Sequence, residues 1–369
     1  MKIALVYEKF VSRGGLENYL FSFAQALAEQ GHGLHVVSAC TDEVTEKLPG
    51  ATFHKLAPAG ISKAAFLLRF AKDAEAKVAE IAPDVSIGFG RTVAHDFHRA
   101  GGGCHLEYSK LLNFLKRFGA KNQIELQLER RLYMEGKTRH FVVNSELVRE
   151  QLQAAYGIEK DRFTVIHTAV DSEKFQPAEE TERSALRKKI AINPDRPAFL
   201  FVSMSHRRKG LNALLRAWQL IRANHDAELW IVGPRPSMRQ IAAINKLQIT
   251  ESVRVFPPTG SVVPFYQAAD FFMHPSLYDA CANTVLQSMS CGLPGIISAK
   301  DGAIQFVDEG KTGFALNDPE SAGEILTQAE KCLGSSDDER VKMSKAARQK
   351  VLPLTWEAHV AKWMRLIGD

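Results

Sequence analysis

Two adjacent cations and a carboxylate further along the chain are the residues best suited to chemistry. His206-Arg207-Arg208-Lys209-Gly210 places Arg208 and Lys209 side by side between an apolar run at 198–203 and a stretch of helical character at 211–221. Arg forks onto two phosphate oxygens and Lys supplies a compact point charge, so the pair suits a phosphate group. A solvated basic turn is the plainer alternative. Asp279 sits inside 274–294, which opens with His274-Pro275-Ser276-Leu277-Tyr278 and closes with Cys291-Gly292-Leu293-Pro294. That order reads as strand end, acidic loop, helix and stop. Pro275 ends a buried strand at 270–274, Asn283 is expected to N-cap a helix over 284–291, Gly292 suits its C′ position, and Pro294 prevents continuation. The helix N–H groups then face the loop 278–282, where a phosphate or a sugar hydroxyl can bind. An ordinary strand, loop and helix of an α/β protein is the competing reading.

Glycines mark two further places where backbone can approach a ligand. Arg13-Gly14-Gly15-Leu16-Glu17 follows the first apolar run and opens a helix at 16–29. Without Cβ atoms, Gly14 and Gly15 let a ligand near the helix N-terminus, although a plain tight turn explains them too. The motif is not Gly-x-Gly-x-x-Gly, which weakens a dinucleotide reading. Arg99-Ala100-Gly101-Gly102-Gly103-Cys104-His105 offers a second flexible backbone, with His105 able to donate to a sugar hydroxyl or phosphate oxygen, or to serve structure alone. His95, Asp96, His98, Cys104 and His105 cluster in sequence, but their spacing matches no zinc pattern, so no metal site is expected.

These residues need a frame. Apolar runs at 3–7, 34–38, 85–89 and 141–144, then at 198–203, 229–232, 271–274 and 295–298, alternate with helical stretches. That alternation predicts parallel sheets covered by helices on both faces. At 369 residues the chain exceeds one ordinary core. The polar stretch 176–184 serves as the linker region, giving domains at 1–176 and 177–354 with a final amphipathic helix at 355–369 built on Trp356, Val360, Trp363 and Ile367. Two doubly wound domains bind ligands at the carboxyl ends of their strands, so a cleft between facing sheets is the expected site. Leu111, Phe114, Leu115 and Phe118 form a helical stripe with Lys110, Lys116 and Arg117 outside it, and residues 110–139 hold eight Lys/Arg against three Glu. Such an element suits an anionic membrane, or packs on its own domain.

Composition narrows the classes. With 45% hydrophobic and 24% charged residues the chain reads as globular. Five scattered cysteines favour a reducing cytosol over a disulfide framework, and no apolar run is long enough for a membrane span or signal peptide, so a cytoplasmic protein is expected. The net charge of +5 suits anions such as nucleotides or a lipid surface more than dedicated nucleic-acid binding.

The 274–294 segment resembles the donor-site signature of retaining GT-B glycosyltransferases of family 4. Their pattern is an acidic residue, seven residues, then Glu; here it is Asp279 and Gln287. Gly14-Gly15 is similar to the family's Gly-Gly-x-Glu loop. Arg208-Lys209-Gly210 and Arg99–His105 resemble elements of the lipopolysaccharide-core glucosyltransferase branch, while Thr168-Ala169 replaces the usual Asn-Gly before the linker. The resemblance implies the GT-B architecture, with two Rossmann-like domains, the first for the acceptor and the second for the donor, and a last helix crossing back to the first. It implies a hexose moved with retention from a nucleoside-diphosphate sugar, a UDP-sugar foremost, to a lipid-linked or oligosaccharide acceptor, with no cofactor and no metal. Arg208 and Lys209 would neutralise the donor phosphates, and Gly14 and Gly15 would lie under the diphosphate. Asp279 would orient the sugar, the backbone of Ala280, Cys281, Ala282 and Asn283 would meet hydroxyls and phosphates, Gln287 would reach the ribose, and His105 would stand at the reacting centre. A sugar-nucleotide epimerase or a non-catalytic sugar-nucleotide sensor on the same architecture are the other classes, the latter suggested by the changes at 279 and 287.

Overall fold

A computed structural model describes residues 1–11, 14–43, 45–58 and 62–368, apart from the side chain of Glu46. The chain divides into two units, Met1–Ala169 with Trp356–Asp369, and Val170–Thr355.

The first unit is built on seven parallel strands: β1 Lys2–Val6, β2 Gly33–Ser38, β3 Ala51–Lys55, β4 Val85–Gly88, β5 Phe97–Arg99, β6 His140–Val143 and β7 Phe163–Val165. Their order is β3-β2-β1-β4-β5-β6-β7. β1 is central because both of its faces are apolar, and Ile3 pairs with Leu34 on one side and Val85 on the other. The terminal helix Trp356–Gly368 packs on the helix Gly15–Glu29. Trp363 is fully buried with its ring 5.4 Å from Phe23, and Tyr19 Oη lies 2.7 Å from His359 Nε2. Burial, then the nearby Arg99 charge, pushes the His359 pKa down to about 3, so this helix docks through a neutral imidazole.

The second unit holds β8 Ala198–Val202, β9 Glu228–Val232, β10 Val253–Phe256, β11 Phe271–His274, β12 Gly295–Ser298 and β13 Gly313–Leu316, all parallel, in the order β10-β9-β8-β11-β12-β13. β8 shows why a continuous apolar run is needed. Ala198 and Leu200 face one helix layer with Trp230 and Phe272, while Phe199 and Phe201 face the other with Trp218, Leu229 and Phe271. The expected boundary at 176/177 is moved, because residues just before it belong to this second core. Val170 N donates to Leu354 O at 2.7 Å, Phe175 packs on Tyr266, and Ser290 Oγ donates to Phe175 O at 2.6 Å.

The strand order sets up the site. From β8 the chain passes to β9 on one side and later returns to β11 on the other, so the loops leaving β8 and β11 part above the sheet. That is the topological switch point at which open α/β sheets bind ligands.

Candidate functional site

The loop after β8 carries Arg208 and Lys209, and the loop after β11 carries Asp279. Gly210 lets the two meet. It has φ +80, and a Cβ there would fall 1.8 Å from the carbonyl oxygen of Pro275. The backbone N–H of Leu277 donates to Arg208 O at 2.8 Å, tying loop to loop.

Asp279 Oδ2 accepts from Arg208 Nη1 and pairs with Lys209 Nζ at 2.5 Å. Arg208 Nη1 also donates to Tyr278 O at 3.1 Å. Lys209 is 8% exposed at its side chain, Asp279 14% and Arg208 32%, so the ammonium lies deepest and the guanidinium outermost. Burial by itself raises the Asp279 pKa, but the Lys209 and Arg208 charges outweigh it and hold the carboxyl well below the ordinary carboxylate range.

Beneath this trio lies a second, fully buried layer that no motif announced. His274 Nε2 is 3.1 Å from Lys209 Nζ and 2.9 Å from Asp301 Oδ2. Burial, then the Lys209 charge, lowers the His274 pKa against the opposing pull of Asp301. The one nitrogen Nε2 thus stands between an ammonium that only donates and a carboxylate that only accepts. The Nδ1 of His274 is buried and has no hydrogen-bond partner. Asp301 Oδ1 accepts from Ala282 N at 3.0 Å and Ala303 N at 2.9 Å. Asp279 is held by its own backbone as well, donating to Lys300 O at 3.1 Å and accepting from Gly302 N at 3.0 Å.

The helix at the crevice spans Asn283–Ser290, with Ala282 as its N-cap and no capping side chain. Asn283, expected at the cap, is instead the first helical residue. Asp301 reaches from the loop after β12 and takes the N–H of the N-cap residue Ala282. Gly292 stands just past the C-cap Cys291 with φ +69, the left-handed position foreseen for it. Ala280, Cys281 and Ala282 are each 4% exposed, so their side chains pack inward. Gln287 lies one turn into the helix, where Tyr266 Oη donates to its Oε1 at 3.4 Å. Two hydroxyl oxygens here, Ser276 Oγ and Thr284 Oγ1, are buried without a hydrogen-bond partner. Ser276 and Thr284 escaped sequence reasoning because lone hydroxyl residues carry no spacing signal.

The remaining candidates belong to the first unit. Gly14 is the N-cap of Gly15–Glu29 with φ +115, and a Cβ on it would lie 2.2 Å from Glu17 Oε2. Arg13 lies outside the described residues. His105 is buried at the start of the short helix His105–Ser109, with Nε2 2.8 Å from Asn122 Oδ1. Its backbone N–H donates to Glu129 Oε1 at 2.6 Å, and the fully buried Glu129 also accepts from Leu106 N and Tyr156 Oη. His95 and His98 lie in the same unit, but among the described residues no group of three His, Cys, Asp or Glu side chains could hold a metal. The helical stripe 111–118 is not one helix. Only Phe114–Arg117 is helical, capped by Asn113, and Phe114, Leu115 and Phe118 are 74%, 81% and 60% exposed, which rules out packing of those three on their own domain.

A cation pair and a carboxylate meet at the switch point of the second sheet, and comparison with known proteins decides the family. A family model described as "Glycosyltransferase Family 4" matches residues 13–174, and one described as "Glycosyl transferases group 1" matches residues 196–335. The chain is a glycosyltransferase of family 4. It is 28% identical to a probable transglycosylase of Burkholderia thailandensis over 89% of this chain and 86% of that protein. It is 23% identical to the lipopolysaccharide glucosyltransferase WaaG of Escherichia coli over 67% of this chain and 68% of that one. A crystal structure of WaaG superposes with a TM-score of 0.85 at 20% identity, covering 99% of both chains. The Anabaena HepE structure in complex with UDP and glucose superposes with a TM-score of 0.77 at 15% identity, covering 100% of both. These superpositions establish the GT-B fold. Among the described residues, no helix of this glycosyltransferase is long and apolar enough to cross a membrane.

Proposed function

We propose that this glycosyltransferase moves a hexose, with retention and without a metal, from a UDP-sugar to a hydroxyl of a lipid-linked or oligosaccharide acceptor in the building of lipopolysaccharide or another cell-surface glycan. The observation that carries the reading is the meeting of Arg208 and Lys209 with Asp279 at the switch point of the second sheet. As the bond from the anomeric carbon to the diphosphate breaks, negative charge gathers on the leaving phosphate, and fixed cations there lower the barrier. The acceptor hydroxyl attacks from the face that the diphosphate leaves, its proton passing to the diphosphate. Asp279 orients the sugar, the backbone of residues 280–283 meets its hydroxyls and phosphates, and Gln287 meets the ribose. Gly14, Gly15 and His105 keep the roles that the family resemblance gives them. The name of WaaG and the UDP and glucose of the HepE complex support this choice of donor and product class.

The exposed Phe114, Leu115 and Phe118, with Lys110, Lys116, Arg117 and Lys121 near them in the sequence, dock the enzyme on the anionic inner face of the membrane, where a lipid-linked acceptor is presented.

Thermal-shift titration against UDP-, GDP-, ADP- and dTDP-sugars, followed by turnover, tests the reading. Arg208→Ala and Lys209→Ala are each expected to lower kcat/KM by about 100-fold or more, with kcat falling as well as KM rising. Near-normal kcat/KM in both variants would refute the phosphate clamp. Product from donor alone would favour an epimerase, and tight donor binding with no turnover across acceptors would favour a sensor.

A further inference from the structure

The family resemblance sends Arg208 and Lys209 to phosphates and Asp279 to a sugar, yet in the structure the three pair with one another. One oxygen, Asp279 Oδ2, takes both cations. Among the described residues Lys209 has no other anion in contact, and His274 Nε2 lies 3.1 Å from its Nζ. With an exposure of only 8%, its ammonium is covered where the carboxylate sits. A phosphate can reach the outer guanidinium of Arg208 while Asp279 stays in place, but it reaches Lys209 only by taking the position of that carboxylate oxygen. The loop need not move for this. Asp279 is pinned through its backbone N–H to Lys300 and its carbonyl to Gly302, so the exchange is a rotation of one side chain.

We propose, building on the donor reading above, that Asp279 is a resident counter-ion that makes the clamp select an intact sugar nucleotide over free nucleoside diphosphate. Any diphosphate must displace the carboxylate from Lys209. A largely buried carboxylate left without donors is unfavourable, so a bare diphosphate binds against that penalty. A donor brings sugar hydroxyls, which supply the released carboxylate with new hydrogen bonds. The same device speeds the end of the cycle. Once the sugar has gone, Asp279 returns to the two cations and helps expel the product.

Full-length wild type and Asp279→Asn are titrated calorimetrically with inorganic pyrophosphate, UDP and UDP-glucose. Asp279→Asn is expected to bind pyrophosphate and UDP about ten-fold more tightly or better, the effect of freeing one charge-assisted bond, and the margin by which UDP-glucose exceeds UDP is expected to shrink. Unchanged or weaker pyrophosphate binding by the folded variant, or no binding by either protein, overturns the proposal. Because pyrophosphate carries neither base nor sugar, a wild type that binds it but binds no sugar nucleotide defeats the donor reading separately. Should the variant fail to fold, wild type crystallised with pyrophosphate decides the matter. A broken Lys209–Asp279 contact supports the counter-ion role, and a retained one overturns it.

Discussion

At Asp279, burial and charge pull in opposite directions, and charge wins. Its folded-state pKa is depressed by Lys209 and Arg208 despite desolvation, so the unfolded chain binds the proton more readily than the folded one. The stabilisation from this trio is therefore fully present above about pH 4, the ordinary carboxylate value, and is lost as acid carries the pH toward the depressed folded value. Thermal unfolding across pH is expected to show wild type more stable than Asp279→Asn by a constant margin between about pH 5 and 7, shrinking only below about pH 4. A margin that closes between pH 5 and 7 would assign the effect to another group. Gln287 offers a different test. Replacing it by Leu removes the acceptor of the Tyr266 hydroxyl and, on the placement proposed above, that of a ribose hydroxyl, whose loss costs about 1–3 kcal/mol, so the donor KM is expected to rise about ten-fold or more. Gln287→Glu keeps the acceptor and is expected to retain activity. An unchanged KM in the Leu variant together with inactivation by Glu would remove Gln287 from the ribose. Arg208 and Lys209 stood out in the sequence as adjacent cations before Gly210 in a strand-to-helix loop, and Asp279 as the acid in the loop between a buried strand and a helix closed by Gly292 and Pro294. His274 and Asp301 did not, because their meaning lies in a contact across 27 positions of chain.

Elements were legible where one periodicity ruled them. β8, β9, β11 and β12 are buried on both faces and read as short apolar runs. β3 escaped because Ala51-Thr52-Phe53-His54-Lys55 is an edge strand, mostly half-exposed, and its histidine and lysine break the pattern. β5 and β7 are three residues each, too short to show a period, and β10 and β13 are the polar or glycine-led edges of the second sheet. The stripe at 111–118 shows the opposite failure. Its spacing is helical, but Asn113 starts a fresh turn and Gly119 caps the next helix, so the apolar side chains are left outside. Phe114→Asp combined with Leu115→Asp is accordingly expected to leave the melting temperature nearly unchanged, within about 0.5 kcal/mol of stability, while sharply reducing sedimentation with anionic vesicles. Activity on a soluble acceptor is expected to survive. Vesicle binding equal to wild type would remove the membrane from the reading.

The chemistry of the whole enzyme is tested by its products and its tolerance of chelation. Activity is expected to persist in excess EDTA, and NMR of the product is expected to show the donor's anomeric configuration. Loss of turnover restored by a divalent ion would overturn the metal-free mechanism, and an inverted product would overturn retention. By itself the sequence determined the class of the molecule. Apolar runs alternating with helices demand parallel sheets covered on both faces, and glycines with cations at strand ends place ligand chemistry on the loops. Those features are local, and local sterics and hydrophobic burial suffice to read them. Tertiary structure alone decided which loops meet, that 170–176 belongs to the second core, and that Asp279 pairs with both cations expected to bind phosphate. Each of these depends on strand order and on groups far apart in the chain, and the energy of a buried charge is set by the neighbours that folding brings to it.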